Sequence, residues 1–270
     1  MKELNLAYYL KEDFEIDGDL SKDVYKNIPF SPRFVDVIGN TPAIYDTRAA
    51  IMWSQDYLYV AYECESPYPK ATMKNKGDLL WFDGNVELFI DGGETYHELQ
   101  VNAYNTTYEA FYIWRDAYKS NPIYQKQPEF DVVANDARVF GGNHDRTGLD
   151  FWKGSHKRGN RWAFLNWELE GLETAVKVNG ELNNDNITST SVTYELKIPW
   201  KSLKFLANGR SYPPQSGDVW KMFFARYDNL RLNGEIVSTG WSWDYIGSND
   251  NHRPELFTEI TFTKEVAPRK

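Results

Sequence analysis

The chain has 270 residues, of which 41% are hydrophobic and 26% charged, so it can bury a core and is not disordered. Its 39 acidic and 30 basic residues give a formal charge of −9 without any basic tract, which disfavours binding to DNA or RNA. The longest apolar runs are far shorter than the roughly 18 residues of a membrane span. The single cysteine, Cys64, excludes an intramolecular disulfide and multi-cysteine zinc or iron–sulfur sites.

The beginning of the sequence bears on the compartment. Residues 1–5 open a polar segment without the apolar stretch of a signal peptide, so the sequence as written predicts a cytoplasmic protein. An extracellular protein from which a leader had been removed would look the same. Aromatic residues make up 16% of the chain, a content that favours β-strands and flat ligand-binding faces.

Short runs of alternating apolar and polar residues, bounded by turn residues, recur along the chain and predict β-strands. The predicted strands cover residues 57–64, 85–91, 97–104, 175–178, 192–198, 219–227 and 259–263. Helical signals are weak and limited to residues 20–27 and 200–207. We therefore predict an all-β fold: one antiparallel β-sandwich of two sheets, with few short helices, that forms a single domain over residues 1–270.

A long loop insertion is predicted between the strands. Residues 119–171 are rich in Pro, Gly, Asn and charged residues and show little periodicity. Tryptophans lie in or near this segment, and we expect it to form a wall of any ligand site. They are Trp114, Trp152, Trp162 and Trp167.

The most informative local pattern is a hairpin at residues 91–96, where Gly92-Gly93 favours a tight connection. If Asp91 pairs with Tyr96, Glu87 lies opposite Gln100. Polar side chains then share one face of the hairpin: Asn85, Glu87, Glu98, Gln100 and Asn102. The solvent-facing side of an ordinary antiparallel sheet would alternate in the same way. Amides and acids suit a polyhydroxyl ligand, however, because an amide both donates and accepts hydrogen bonds.

Blocks spread in order over most of the chain resemble the carbohydrate-binding module family 9-like proteins. They are Ile16–Tyr25, Ala50–Val60, Trp81–Asp91, Glu98–Asn102, Thr193–Trp200, Trp220–Arg226, Trp241–Trp243 and His252–Phe257. Each block alone is weak evidence for the resemblance, whereas their shared order along the chain is much stronger evidence. The sequence departs from the family pattern at Tyr25, where the family usually has Trp, and at Gln100, where its sugar binders tend to have Arg.

The resemblance implies a two-sheet β-sandwich that binds a mono- or oligosaccharide between two tryptophan rings without catalysing a reaction. Trp81, six residues before Glu87, matches the first ring, and Trp241 or Trp243 is the candidate for the second. An indole packs well on the apolar C–H face of a pyranose. The candidate polar contacts to the sugar are Glu87, Glu98, Gln100, Asn102 and Arg226.

Two of these assignments have a structural alternative. Trp241 and Trp243 point to the same side of a strand and could be a core pair. Arg226 shares its strand face with Trp220, Met222 and Phe224, so it needs a partner there. That partner is either a carboxylate such as Asp228 or Glu255, or a sugar.

Other functions stay open at the level of sequence. The chain could be an enzyme that acts on sugar derivatives, with Glu87 and Glu98, or His252 and Glu255, as acid–base groups. It could also be a protein-interaction module with a degenerate site.

Calcium is a candidate cofactor because the family often binds it; the candidate ligands are Asp83, Asp91, Asp145 and Asp150. Haem, which related sandwiches bind, would need axial ligands from Met52, Met73, His97 and His144.

Overall fold

The computed structural model describes residues 5–142, 156–232, 235–248, 250–265 and 267. The strands are β1 (Asn5–Tyr9), β2 (Val35–Asp36), β3 (Thr47–Trp53), β4 (Tyr57–Glu65), β5 (Asn85–Asp91), β6 (Thr95–Asn102), β7 (Thr107–Trp114), β8 (Arg138–Phe140), β9 (Arg161–Phe164), β10 (Glu173–Asn179), β11 (Ser191–Pro199), β12 (Val219–Leu232), β13 (Glu235–Ser242) and β14 (Thr258–Thr263). The helices α1 (Arg115–Ser120) and α2 (Pro122–Gln125) are short.

The strands form one continuous hydrogen-bonded path that folds into a sandwich. The order is β10-β11-β4-β3-β1-β14-β12-β5-β6-β7-β9-β8, and β13 and β2 extend from β12 beside this path. The pairing is antiparallel except at β1, which runs parallel to both β14 and β3. The predicted β-sandwich is therefore present, but its two layers are joined edge to edge through β1 rather than being separate sheets.

The core lies between the β3–β4–β11 layer and the β12–β5–β6 layer. Alternate residues of both layers meet there in one buried cluster that includes Val60, Leu88 and Phe224. The hydroxyl of Tyr62 on β4 donates to the backbone carbonyl of Glu87 on β5 at 2.8 Å. This bond fixes the position of β5 relative to the opposite layer.

The outer face of β3 and β4 is covered by the segment that follows β1. Tyr25 and Ile28 pack there against Met52 and Tyr59 in a second buried cluster. The weak helical pattern of residues 20–27 becomes only a 3₁₀ turn at Asp23–Tyr25, and that of residues 200–207 a 3₁₀ turn at Trp200–Leu206. No helix in the described part of the chain is long and apolar enough to span a bilayer.

The predicted loop insertion at residues 119–171 contains more regular structure than its composition indicates. Asn121 caps α2 by accepting the N–H of Ile123, and Pro122 takes the first helical position. Strands β9 and β8 then extend the sheet beyond β7. The insertion therefore combines loops with short helices and two short strands. Trp152 lies outside the described residues.

Candidate functional site

The hairpin of β5 and β6 has the predicted register. Glu87 lies opposite Gln100, and Asn85 lies opposite Asn102. The polar side chains therefore share the outer face of the sandwich, while Val86, Leu88 and Leu99 face the core. The polar face is not a wet surface, however, because Glu87, Glu98 and Gln100 are only 2%, 4% and 2% exposed.

The residues that cover this face come from the segment between β13 and β14. The ring of His252 packs on Phe89, Tyr112 and Phe140, with centroids 5.2, 5.2 and 4.5 Å away. The neighbouring amide of Asn251 donates to Glu87 Oε2 at 2.9 Å. We call Glu87, Glu98, Gln100, Tyr112 and Asn251 the acidic cluster. Tyr112 and Asn251 were not predicted, because only the tertiary fold brings them to the hairpin.

Glu98 is held from two sides. The amide Nε2 of Gln100 donates to Glu98 Oε1 at 2.7 Å, and the hydroxyl of Tyr112 donates to Glu98 Oε2 at 2.7 Å. The oxygen of the same Gln100 amide, Oε1, is buried and has no hydrogen-bond partner among the described residues. Such an atom is uncommon, because an unpaired buried acceptor is energetically unfavourable. Gln100 Oε1 is therefore an acceptor that a ligand could satisfy.

Burial changes the acid–base properties of the acidic cluster. It raises the pKa of Glu98 to about 7, although the bonds from Tyr112 and Gln100 act in the opposite direction. Burial and the nearby charge of Glu98 raise the pKa of Glu87 well above its usual range. The pKa of His252 is well below its ordinary value, because the ring is buried and Arg161 lies nearby, so the imidazole is neutral. The two carboxyls of the acidic cluster therefore keep their protons to a higher pH than ordinary glutamates do.

Trp81 stands at the edge of this face. It lies in a 3₁₀ turn at Leu80–Phe82 and is 44% exposed. Its indole meets the ring of Tyr108 edge-on, with centroids 5.4 Å apart. Tyr108 is the cross-strand neighbour of Gln100, and the charges of Glu98 and Glu87 contribute to its raised pKa. Trp81 therefore contacts the buried Tyr108, which in turn neighbours Gln100 of the acidic cluster.

Tyr227 borders the same face on β12 and was not predicted as a site residue. It is the direct neighbour of Asn85 and is half-buried. Its ring packs where Gly240 leaves room, since a Cβ at Gly240 would lie 2.5 Å from a ring atom. Burial, followed by the charges of Glu87 and Glu98, raises the pKa of Tyr227 well above its usual range. The alternation of faces along β12 could have identified it. Tyr227 lies three residues after the core residue Phe224, so it is on the opposite, outer face of the strand.

Asn102 lies on the same outer face of the β5–β6 hairpin, but its hydrogen bonds support the fold. Its amide donates to the carbonyl of Met73 at 2.8 Å and to Asp83 Oδ2 at 3.0 Å. Its own carbonyl oxygen accepts the N–H groups of Tyr104 and Thr106. All of these bonds lie within the protein, so Asn102 ties the turn before β5 to the turn after β6 instead of offering its groups to a ligand.

Arg226, Trp241 and Trp243 do not join the acidic cluster, which corrects the prediction. Arg226 lies opposite Val86, on the core-facing side of β12. Its guanidinium donates to Asp228 Oδ2 at 2.7 Å and to the carbonyl of Glu65 at 2.7 Å. The Asp228 partner is the structural alternative that the sequence left open.

The two tryptophans lie on this core-facing side as well. Trp241 pairs with Arg226 across the strands and is 2% exposed, packed against Tyr45. Trp243 is half-buried against Phe224, with ring centroids 5.2 Å apart. Because strand neighbours alternate between faces, neither indole can oppose Trp81 across the acidic cluster. The prediction of a second clamping ring at Trp241 or Trp243 is therefore wrong.

The residues predicted as an acid–base pair at the end of the chain are separated. His252 is enclosed by aromatic rings, and its Nδ1 lies 3.2 Å from the hydroxyl of Tyr96. Glu255 lies at the surface, where it accepts from His156 Nε2 at 2.8 Å and from Arg253. The two side chains therefore do not face a common cleft.

The calcium ligands suggested by the sequence are already engaged in other bonds. Both oxygens of Asp83 accept the backbone N–H of Thr72, and Asp91 Oδ1 accepts that of Gly93. Asp145 and Asp150 lie outside the described residues. Within the described ranges, no three His, Cys, Asp or Glu side chains group as metal ligands. Asp83 and Asp91 are therefore held by backbone N–H groups and do not group with each other as calcium ligands.

The candidate haem ligands lie in different parts of the fold. Met52 belongs to the cluster that includes Tyr8 and Tyr59, whereas His97 pairs with Glu109 at 3.2 Å in the other layer. Met73 is half-buried beside the main core, and His144 lies outside the described residues. Met52 and His97 therefore lie apart and do not form a pair of axial ligands.

Comparison with known proteins gives structural matches only, since no family model and no curated protein matches the sequence. A carbohydrate-binding module of family 9 from Caldicellulosiruptor kristjanssonii, solved with cellotriose, has a TM-score of 0.54 at 14% identity, covering 97% of this chain and 95% of its own. A structure of such a module with glucose gives 0.52 at 14% identity, with 98% of each chain covered. The chain has the family 9-like β-sandwich fold.

A further match to this family 9-like fold is a protein from Bacteroides uniformis that is described provisionally as carbohydrate-binding. It has a TM-score of 0.60 at 15% identity and covers 96% of this chain and 98% of its own. Identities of this size support the architecture alone. The function of the present site has to be argued from its own residues.

Proposed function

We propose that the chain binds carbohydrate non-covalently on the outer face of β5–β7, with Trp81 as the stacking residue. The observation that supports this most is the exposed indole of Trp81, held edge-on by Tyr108 beside a row of hydrogen-bonding side chains. Exposed aromatics next to a few convergent polar groups are typical of ligand sites. Neighbours of the same fold were solved with glucose and cellotriose, which agrees with this ligand class.

In this proposal the polar contacts come from Glu87, Glu98 and Gln100, while Tyr108 and Tyr227 frame the face. Gln100 Oε1 is an unfilled acceptor, and a sugar hydroxyl would satisfy it. The carboxylates are covered by Asn251, so a hydroxyl of the sugar would replace the amide N–H that Asn251 donates to Glu87. A hydrogen bond within the protein is then replaced by one to the ligand, so the buried carboxylate of Glu87 still receives a donor when the sugar is bound.

Calorimetric titration with glucose, xylose, galactose, cellobiose and cellotriose tests this proposal. We expect at least one sugar to bind, and Trp81→Ala to weaken that binding by about tenfold or more. Tyr212→Ala is the matched control, because Tyr212 is 46% exposed and lies beside Trp200, away from the acidic cluster. Unchanged affinity in Trp81→Ala, or no binding to any of these sugars, would contradict the proposal.

Hydrolysis is the second function that a specific observation favours. Glu98 has a pKa of about 7 next to a second carboxylate, and a general acid in a glycosidase needs such a raised pKa. Chromatography of cellotriose after long incubation with the purified chain distinguishes the two functions. We expect intact cellotriose. Products that disappear in Glu87→Gln but persist in Trp81→Ala would identify an enzyme instead.

A further inference from the structure

A cavity of about 330 Å³ lies between the insertion that precedes β10 and the 3₁₀ turn at Trp200–Leu206. Its volume is at the lower end of the range of about 300–1,000 Å³ that is typical of small-molecule sites. The cavity is separate from the surface that carries Trp81, which contacts Tyr108 on the outer face of β7. Phe111, three residues further along β7, points to the opposite face and packs on Trp167, which lines the cavity.

The indole of Trp167 has one face covered by aromatic rings. Its centroid lies 4.5 Å from that of Phe111 and 5.2 Å from that of Phe130, and these two rings are themselves 5.3 Å apart. Rings on opposite faces of an indole would be about 7 Å apart or more, because each carbon contact spans about 3.5 Å. Phe205 is within 4.7 Å of Phe130 and belongs to the same side. The half-buried Trp167 therefore presents its other face to the cavity that it lines.

Neutral polar groups surround this free face. Asn135, Asn166 and Ser202 line the same cavity. The amide nitrogen of Asn135 donates to two backbone carbonyls, so its amide oxygen is the group that it can offer to a ligand. The hydroxyl of Ser202 donates to a backbone carbonyl and can still accept, and the exposed amide of Asn166 can donate as well as accept.

Each carboxylate at the rim of the cavity has a lysine partner. The ion pairs are Lys201–Glu170 at 3.4 Å, Lys204–Glu129 at 3.8 Å and Lys76–Glu168 at 2.8 Å. Such a pair has donors and acceptors to spare, since an ammonium carries three donors and a carboxylate about four acceptor sites. The charges cancel within each pair. The rim therefore suits a neutral ligand that both donates and accepts better than it suits an ion.

We infer that this cavity is a second saccharide site, in which a sugar ring packs on the free face of Trp167 while its hydroxyls bond the groups at the rim. A sugar fits both parts, because its apolar C–H face suits an indole and each hydroxyl donates and accepts. The inference goes beyond the Trp81 site and does not depend on it. Water competes for the exposed groups at the rim, so the cavity binds less tightly than the Trp81 site.

Calorimetric titration of Trp81→Ala with glucose, xylose, galactose, cellobiose and cellotriose isolates the cavity. We expect one sugar molecule to bind per chain, about tenfold more weakly than to the wild type. Adding Trp167→Ala should weaken this binding by about tenfold more. Trp162→Ala is the matched control, because Trp162 is also half-buried but does not line the cavity, and it should leave the binding unchanged.

The results separate the two sites. If Trp81→Ala binds none of the sugars that the wild type binds, the second site is refuted while the Trp81 site stands. If Trp81→Ala binds as tightly as the wild type and Trp167→Ala does not, the second site stands and the Trp81 proposal fails. Binding by Trp81→Ala that persists after Trp167→Ala is added refutes the second site. If the wild type binds no sugar, both proposals fail.

Lysine acetylation covers the case in which Trp167→Ala does not fold. Acetylation rates in Trp81→Ala are measured by mass spectrometry with and without saturating sugar. We expect the sugar to slow acetylation of Lys201 and Lys204 by at least about threefold, because it covers the rim. Lys26 is the control, since its side chain is ion-paired and 67% exposed, much as that of Lys201 is ion-paired and 69% exposed. Rates at Lys201 and Lys204 that sugar does not change would overturn the inference.

Discussion

Glu195 accepts the backbone N–H of Gly18 at 2.6 Å and thereby joins two parts of the chain that are 177 residues apart. The same oxygen, Oε2, also accepts the N–H of Asp17 at 2.9 Å and the ammonium of Lys22 at 2.8 Å. Oε1 accepts the hydroxyl of Tyr25 at 2.7 Å. The carboxylate is buried and fully supplied with donors, so it anchors the segment that covers β3 and β4.

Replacing this carboxylate should loosen the N-terminal cover. Glu195→Gln removes the charge that pairs with Lys22 and substitutes a donor for one acceptor, which leaves buried N–H groups unpaired. We expect a loss of about 2–4 kcal/mol in the free energy of unfolding, measured by urea denaturation. Glu63→Gln, the same change at an exposed position of β4, should alter stability by less than about 0.5 kcal/mol. Equal effects at both positions would contradict the anchoring role of Glu195.

Gly18 itself has a backbone conformation that only glycine fits. Its φ is +84°, and an added Cβ would lie 2.6 Å from the backbone nitrogen of Lys177. Gly77 has a similar φ of +82°, but no atom lies within 4 Å of an added Cβ. Gly77→Ala therefore introduces the backbone strain alone, whereas Gly18→Ala introduces the strain and a steric clash. We expect Gly77→Ala to lower the free energy of unfolding by about 1 kcal/mol and Gly18→Ala by about 3 kcal/mol. Urea melts that give the same loss for both would show that packing at Gly18 is unimportant.

The sequence predicts the local architecture well. Alternation identifies β4, β5, β6, β11 and β12, and Gly92-Gly93 sets the register that places Glu87 opposite Gln100. Alternation does not identify β7 or β13, although each has 8 residues. The short strands β8 and β9 escape detection because 3 or 4 residues are too few to show a period. The continuous sheet path depends on β1 pairing with both β14 and β3, a contact between distant segments that no local pattern encodes.

The candidate site is only partly visible in the sequence. The alternation of faces along β5 and β6 correctly places Glu87, Glu98 and Gln100 on one face. It cannot show that Asn251 and His252, which are distant in sequence, pack over them. For Arg226 the parity itself pointed to the core, since its strand face is otherwise apolar. Its need for a partner on that face left a carboxylate and a sugar open, and the structure shows the carboxylate of Asp228. The alternation of residues along β12 therefore predicts the core-facing position of Arg226 correctly.

Arg226 is therefore expected to support the fold rather than the ligand. It donates to Asp228, to the carbonyl of Glu65 and to Thr47, all within the protein. Arg226→Met removes the donors to Asp228 Oδ2 and to the carbonyl of Glu65, so we expect the free energy of unfolding to fall by about 3 kcal/mol. Arg48→Met, which breaks an exposed pair with Asp46, should lose less than about 1 kcal/mol.

A binding measurement on the same variant separates the two roles. The folded fraction of Arg226→Met should bind sugar with wild-type affinity, as measured by calorimetry at a temperature well below its melting point. A large loss of affinity in this folded variant would return Arg226 to the site and contradict its placement on the core-facing side of β12.

The buried Glu98 should make stability depend on pH. Its pKa rises from 4.5 to about 7 on folding, so the native state binds more protons than the unfolded state between these values. The free energy of unfolding therefore falls as pH increases through this window, by up to about 3 kcal/mol for this group. Glu98→Gln cannot titrate. We expect the stability of the wild type relative to Glu98→Gln to decline from about pH 4.5 to about pH 7.5, measured by urea denaturation.

The comparison with Glu98→Gln is needed because His252 acts in the opposite direction. Burial and Arg161 lower the pKa of His252, so below its ordinary value of 6.5 the unfolded state takes up a proton that the native imidazole does not. That contribution makes the protein more stable as pH rises, and it partly hides the effect of Glu98 in the wild type alone. Both proteins contain His252, so most of its contribution cancels in their difference. A difference that stays constant with pH would show that Glu98 titrates normally and is open to solvent.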